Sequence, residues 1–174
     1  VYANLSIPNV SITLSGNSIL SSNANAATNG VIRVNSSNIT VQSGSRLSGG
    51  SWWDMGSATV TLHDGAIANM NFWEARSTTT RFILGASGFT TITPNNLYGS
   101  SAPSTQSYVV DFANYTGSST TLTLVDYTGI NFASLNATSF LTGNFSYLNT
   151  GGYSGSMSWN ATTNAIQLSI AELN

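Results

Sequence analysis

The chain has 174 residues, only 6% of them charged, with a formal net charge of −2 and neither cysteine nor lysine. Ordinary soluble domains carry about 25% charged residues, so neutral polar groups must cover this surface instead. The four arginines, Arg33, Arg46, Arg76 and Arg81, are dispersed. They make no patch able to displace counterions from nucleic acid, and no apolar run approaches the ~20 residues that span a bilayer.

Disorder is excluded as well. Hydrophobic residues make up 41% and aromatics 10%, whereas disordered chains are poor in both. A chain this long buries about two-thirds of its unfolded surface and needs no disulfide or metal to fold. Low charge with abundant Ser, Thr, Asn and Gly points to an extracellular β protein, a setting compatible with the lack of cysteine. No signal peptide is visible at Val1, so the chain reads as a mature form.

Residues 1–10, "VYANLSIPNV", form an apolar strand or arm interrupted by Pro8. Such a strand completes a neighbour's sheet by strand addition or covers an edge of its own chain. From 11 to 95 one phrase recurs: a short strand, a small polar turn, another apolar residue. "SITLSGNSIL", "IRVNSSNIT", "ITVQSGSRL", "TVTLHDGAIA" and "FILGASGFT" all fit it. The leading strands end at Leu14, Val34, Val41, Leu62 and Leu84. The intervals from Leu14 to Val34, from Val41 to Leu62 and from Leu62 to Leu84 are nearly equal, which defines the repeat. A period of about 20 residues with short strands predicts a parallel β-helix, or solenoid, whose coils bury their apolar faces only by stacking. Gly and Asn supply corners that need positive φ. The alternative is a β-sandwich with regular strand spacing.

Inside this region Trp52-Trp53-Asp54 and Phe72-Trp73-Glu74 read as one rung position seen twice. Strand alternation sends Trp52 and Asp54 one way and Trp53 the other. Lone charges are rarely buried, so Trp53 and Trp73 are expected inside. Trp52, Asp54, Phe72, Glu74 and Arg76 then form an outer contact stripe. Stacked like charges repel, and Arg76, or a calcium ion as the alternative, is expected to relieve Asp54 and Glu74.

Residues 96–107 belong to a turn-rich loop with Pro94 and Pro103 at or near its ends. Residues 108–174 are expected to be antiparallel and to cap the last coil. "SYVVDFANYT" and "TTLTLVDYT" alternate as strands, and "SGSMSWNATTNAIQLSI" reads as a terminal hairpin turning at "NATTN".

The phrases "SATVTLHDGAIANM" and "GSWWDMGSA" resemble the repeats of secreted bacterial β-solenoid proteins of the autotransporter-passenger and adhesin type. The run from "TTTRFILGASGFTTI" to "GSMSWNATTNAIQLSI" is similar to the C-terminal segment of large secreted solenoid proteins. The resemblance covers about the last 120 residues. It implies a β-helical fold and a surface or extracellular location, and no activity, because such folds carry many jobs.

Catalytic chemistry is thinly represented. His63 is the single histidine, and Asp64, next to it on a strand, would point to the opposite face. No G-x-S-x-G elbow, phosphate loop, zinc spacing or other cofactor motif is present. Asp54 and Glu74 are the acids that the repeat brings together, as a glycoside hydrolase requires. Eight N-x-S/T sequons, at Asn4, Asn9, Asn35, Asn38, Asn114, Asn136, Asn144 and Asn160, are candidate glycan acceptors. Their number is close to what the composition alone produces.

The expected function is a non-enzymatic extracellular structural protein: a subunit of a self-assembling surface fibre, filament or layer, or an adhesin fragment. Its partner is another copy, through strand addition or solenoid stacking, with a glycan as a further partner. No cofactor or metal is expected. The alternatives are a carbohydrate-binding module and a β-helical polysaccharide lyase or hydrolase.

Overall fold

The computed structural model describes residues 5–22, 31–74, 78–94, 107–128 and 144–174. These residues are all β, with no helix among them. In chain order the strands are β1 (Leu5–Ser6), β2 (Ser11–Leu14), β3 (Ile19–Ser22), β4 (Val31–Arg33), β5 (Asn38–Val41), β6 (Arg46–Asp54) and β7 (Thr59–His63). There follow β8 (Ile67–Glu74), β9 (Thr79–Ile83), β10 (Ser107–Asp111), β11 (Thr120–Asp126), β12 (Asn144–Leu148), β13 (Tyr153–Asn160) and β14 (Ala165–Glu172).

Two sheets are parallel, and from β4 to β9 the chain alternates between them. The larger has the order β12-β10-β9-β7-β5-β2. In the other, β6 lies at the centre. Its first half pairs with β3 and its second half with β4, while β8 runs along both halves. The ladder between β6 and β8 is interrupted between Gly49 and Trp52, so each of these long strands is paired in two stretches with a break between.

Period-two alternation sends one side of every strand of the larger sheet inward. Register lines up Ile12, Ile39, Val60, Thr80, Tyr108 and Phe145 in one column, and Leu14, Val41, Leu62, Phe82, Val110 and Tyr147 in a second. Leu47 and Ala68 of the second sheet, Val34 and Met55 at the bends, and Leu124, Ile166 and Leu168 of the antiparallel strands pack into the same core. Val34, Ile39, Leu47, Met55, Leu62 and Phe82 are fully buried.

The steps between rungs differ from expectation in two places. Leu14 aligns with Val41, not Val34, so the first step is longer than the others of the repeat. Val34 instead follows β4, within the repeat that Leu14 begins. Leu62 aligns with Phe82, not Leu84, so that step is slightly shorter than expected. Phe82 and Leu84 lie on either side of Ile83, so both satisfy the same alternation, and only the ladder distinguishes them.

The bends are built from left-handed residues stacked rung on rung. Asn9, Ser36 and Ser57 have φ of 58°, 53° and 56°, and Asn17, Gly44 and Gly65 have 63°, 77° and 80°. Backbone bonds bind one bend to the next: Ser36 N donates to Gly56 O at 2.9 Å, and Gly44 N to Gly65 O at 2.9 Å. Left-handed φ costs a non-glycine residue roughly 1–2 kcal/mol, partly offset by glycine's larger entropy loss. Ser57→Gly is therefore expected to stabilise the chain by about 0.5–1 kcal/mol in urea denaturation. A loss of stability would contradict this account of the bend.

Residues 5–10 do not stand free. β1 pairs in parallel with β4, Ile7 N donates to Arg33 O, and Asn9 N to Asn35 O. Of the two roles expected for this segment, it covers an edge of its own chain. The expected antiparallel region at 108–174 is narrower than the sequence suggested. β10 and β12 extend the larger parallel sheet, and only β11, β14 and β13 form an antiparallel sheet, in that order. The terminal hairpin is as expected, with Asn160 opposite Ala165 and a left-handed Asn164 in the turn. Residues 95–106, most of the expected loop, lie outside the described residues.

Two joints hold the antiparallel sheet to the parallel stack. Ile92 bridges to β11, its N donating to Leu124 O at 2.9 Å and its O accepting from Asp126 N at 2.8 Å. Rings of Phe112, Tyr115, Tyr147 and Tyr153 pack together where β10 and β12 end. Among the described residues no helix is long and apolar enough to cross a membrane.

Candidate functional site

The aromatic-acid triplets meet as the repeat requires. Trp52 pairs with Phe72, Trp53 with Trp73 and Asp54 with Glu74 across the parallel ladder of β6 and β8. The facing of these side chains, and the whole of Arg76, lie outside the described residues. The register adds a residue that the sequence pattern did not single out. Val31, Ile32 and Arg33 of β4 pair with Trp52, Trp53 and Asp54. The charged column therefore reads Arg33, Asp54, Glu74, with Arg33 on the strand beside Asp54. Arg33 holds the register position beside the acid pair, a basic residue in the column that does not depend on Arg76. The signal was present: "VIR", "WWD" and "FWE" share one apolar-apolar-charged pattern.

A second polar constellation lies between the larger sheet and the ring cluster. Asp111, at the end of β10, is 3% exposed. Its Oδ1 accepts from Asn149 Nδ2 at 2.8 Å and from Ala113 N at 3.0 Å, and its Oδ2 accepts from Arg81 Nη2. Burial opposes the charge on Asp111. The bonds from Asn149, Arg81 and Ala113, with the charge of Arg81, outweigh burial and hold the carboxyl below its usual range. A carboxylate with both oxygens engaged is a clamp rather than a proton acceptor. Burial also pushes the phenols of Tyr108 and Tyr127 up, so neither ionises near neutral pH.

The "HDG" stretch is a half-buried bend that follows β7 at the mouth of a cleft. Asp64 Oδ1 accepts from Thr90 N at 2.7 Å and from Thr90 Oγ1 at 2.9 Å. Asp64, Ser87, Gly88, Phe89, Thr90 and Leu122 line a cleft of about 280 Å³. Contacts that reach from one repeat to the next leave no local trace in the sequence.

Of the sequons, Asn9, Asn38, Asn114 and Asn144 are exposed. Asn35 uses its Oδ1 to accept from Gly56 N at 3.0 Å, and Asn160 caps the hairpin turn by accepting from Thr162 N and Thr163 N. Asn4 and Asn136 lie outside the described residues.

No protein-family model, no curated protein and no solved structure matches the chain.

Proposed function

We propose that the chain is a short β-solenoid serving as an extracellular structural module. It would be a subunit of a self-assembling surface fibre, filament or layer, or part of an adhesin, and not an enzyme. The observation that carries this reading is the parallel six-stranded ladder with an uncharged edge. Its regular steps of about 20 residues through β5, β7 and β9 support a solenoid over a sandwich. Low charge and the lack of lysine support an extracellular setting.

Edge strands are normally guarded by charge, often lysine, or by proline. β2, "SITL", has neither, and among the described residues no strand pairs with its outer side. Val10 O and Leu14 O accept from Asn38 N and Gln42 N, so these residues face β5. Alternation then turns the amides of Ser11 and Thr13 outward. A second copy adds a strand there. Thr13→Pro removes an outward amide and leaves the β5 ladder intact, a placement proline tolerates. Sedimentation velocity of the unmodified chain is expected to show concentration-dependent oligomers, and Thr13→Pro monomers of unchanged circular dichroism. A chain that stays monomeric throughout would contradict self-assembly.

A further inference from the structure

We propose that the cleft beside Asp64 binds a neutral sugar ring. The inference does not rest on the solenoid reading. It rests on how the walls are held and on which groups they leave available.

The carboxylate of Asp64 is fixed in place. Both bonds from Thr90 fall on Oδ1. Oδ2 lies over Gly85, where an added Cβ would collide with it. Gly85 opens a tight reversal: its N donates to Gly88 O at 2.7 Å, and the two glycines form an antiparallel bridge. The reversal carries Ser87, which is exposed, to the rim. The Phe89 ring is set edge-on against the buried Phe82, centroids 5.4 Å apart and planes at 88°. Leu122 supplies the remaining apolar surface.

These groups match a pyranose. Oδ2 of Asp64 is an acceptor for a sugar hydroxyl. The Thr90 hydroxyl donates to Asp64 Oδ1 and its lone pairs accept in turn, and the Ser87 hydroxyl does either. Phe89 and Leu122 take the ring's C–H surface. Among the described residues no basic side chain lines the cleft, which disfavours anionic ligands, and one carboxylate is too few oxygens for a calcium ion. The volume of about 280 Å³ falls just below that of drug-sized ligand sites, which begin at about 300 Å³, and suits a single sugar residue. This site is distinct from the Trp52–Phe72 column of the expected contact stripe.

The test is an amide-shift titration of the whole chain with the methyl glycosides of glucose, galactose and mannose. At least one is expected to move the amides of Asp64, Ser87 to Thr90 and Leu122, with affinity on the order of millimolar. Asp64→Asn keeps an oxygen for Thr90 but replaces the Oδ2 acceptor. It is expected to weaken binding about tenfold, equivalent to about 1.4 kcal/mol. Ser87→Ala alters only an exposed hydroxyl and is expected to weaken it severalfold in an unchanged fold. The proposal is overturned if none of the three sugars shifts these amides, if the shifts cluster on β6 and β8 instead, or if Asp64→Asn binds as well as the parent. None of these outcomes changes the sedimentation result that tests self-assembly.

Discussion

Phe112→Ala is expected to destabilise the chain by about 3–5 kcal/mol, the range for deleting a buried Phe. Phe112 is 2% exposed. Its ring is stacked on Tyr153 at 6.2 Å and meets Tyr115 at 6.1 Å and Tyr147 at 6.5 Å. The same cluster is tied by hydrogen bonds. Tyr147 Oη accepts from Met157 N at 2.8 Å, Tyr153 Oη donates to Gly117 O at 2.9 Å, and Tyr115 Oη donates to Ser118 O at 2.6 Å. Gly155 leaves room for the rings, since a Cβ there would come within 2.8 Å of Tyr147 and 3.0 Å of Phe112. Removing the central ring opens the joint between the parallel stack and the antiparallel sheet. A whole domain has only about 5–15 kcal/mol to lose. Urea denaturation gives the magnitude, and amide exchange should show β13 and β14 losing protection ahead of β5 and β7. A loss under about 1 kcal/mol, far below the range for a buried Phe, or uniform loss of protection, would contradict the role of this joint.

Asp111→Ala is the second large effect, expected at about 2–4 kcal/mol. It removes a buried carboxylate that accepts from Asn149, Ala113 and Arg81. Asn149 and Ala113 are exposed and rehydrate, so the loss is that of charge-assisted hydrogen bonds, each worth roughly 1.5–3 kcal/mol. Arg81 is partly exposed and rehydrates, so its loss adds little. The clamp also predicts a pH dependence. The Asp111 carboxyl is lowered in the folded chain, so the unfolded chain takes up its proton first as pH falls. The stabilisation is complete above the unfolded carboxylate value of about 3.9. It is lost as pH drops through the lower folded value. Stability measured from pH 7 to pH 2 should fall along this limb for the parent chain. In Asp111→Asn the limb should flatten, and equal slopes in the two proteins would remove Asp111 from the account.

How far the sequence reached depended on how local each signal was. Trp52-Trp53-Asp54 and Phe72-Trp73-Glu74 were legible as neighbours because the step between them is one plain repeat. Arg33 was missed because the step on its side carries "VIR", without aromatics. β10 and β12 alternate like any half-buried strand, and alternation does not say whether a partner runs parallel or antiparallel. Their ladders reach from Val110 back to Phe82 and on to Tyr147, steps longer than the repeat, which break the period. The Asp111 clamp draws residues from positions 81, 111 and 149, and the sugar cleft from 64, 87–90 and 122. Only the folded ladder brings such residues together.

The central claim is that successive repeats stack as rungs in both parallel sheets, and the lack of cysteine allows a direct test. Thr40 pairs with Thr61 in the larger sheet and Ser48 with Asn69 in the other. Adjacent strands lie about 4.8 Å apart, inside the Cα separation of about 4.4–6.8 Å that a disulfide accepts. The double variants Thr40→Cys/Thr61→Cys and Ser48→Cys/Asn69→Cys should each close an intramolecular disulfide under mild oxidation. Thr40→Cys/Asn69→Cys, which joins residues not paired in either ladder, should not. Closure of both registered pairs and not the control is the predicted result. Failure of either registered pair, or equal closure of all three, would contradict the stacked-rung architecture and the structural role proposed from it.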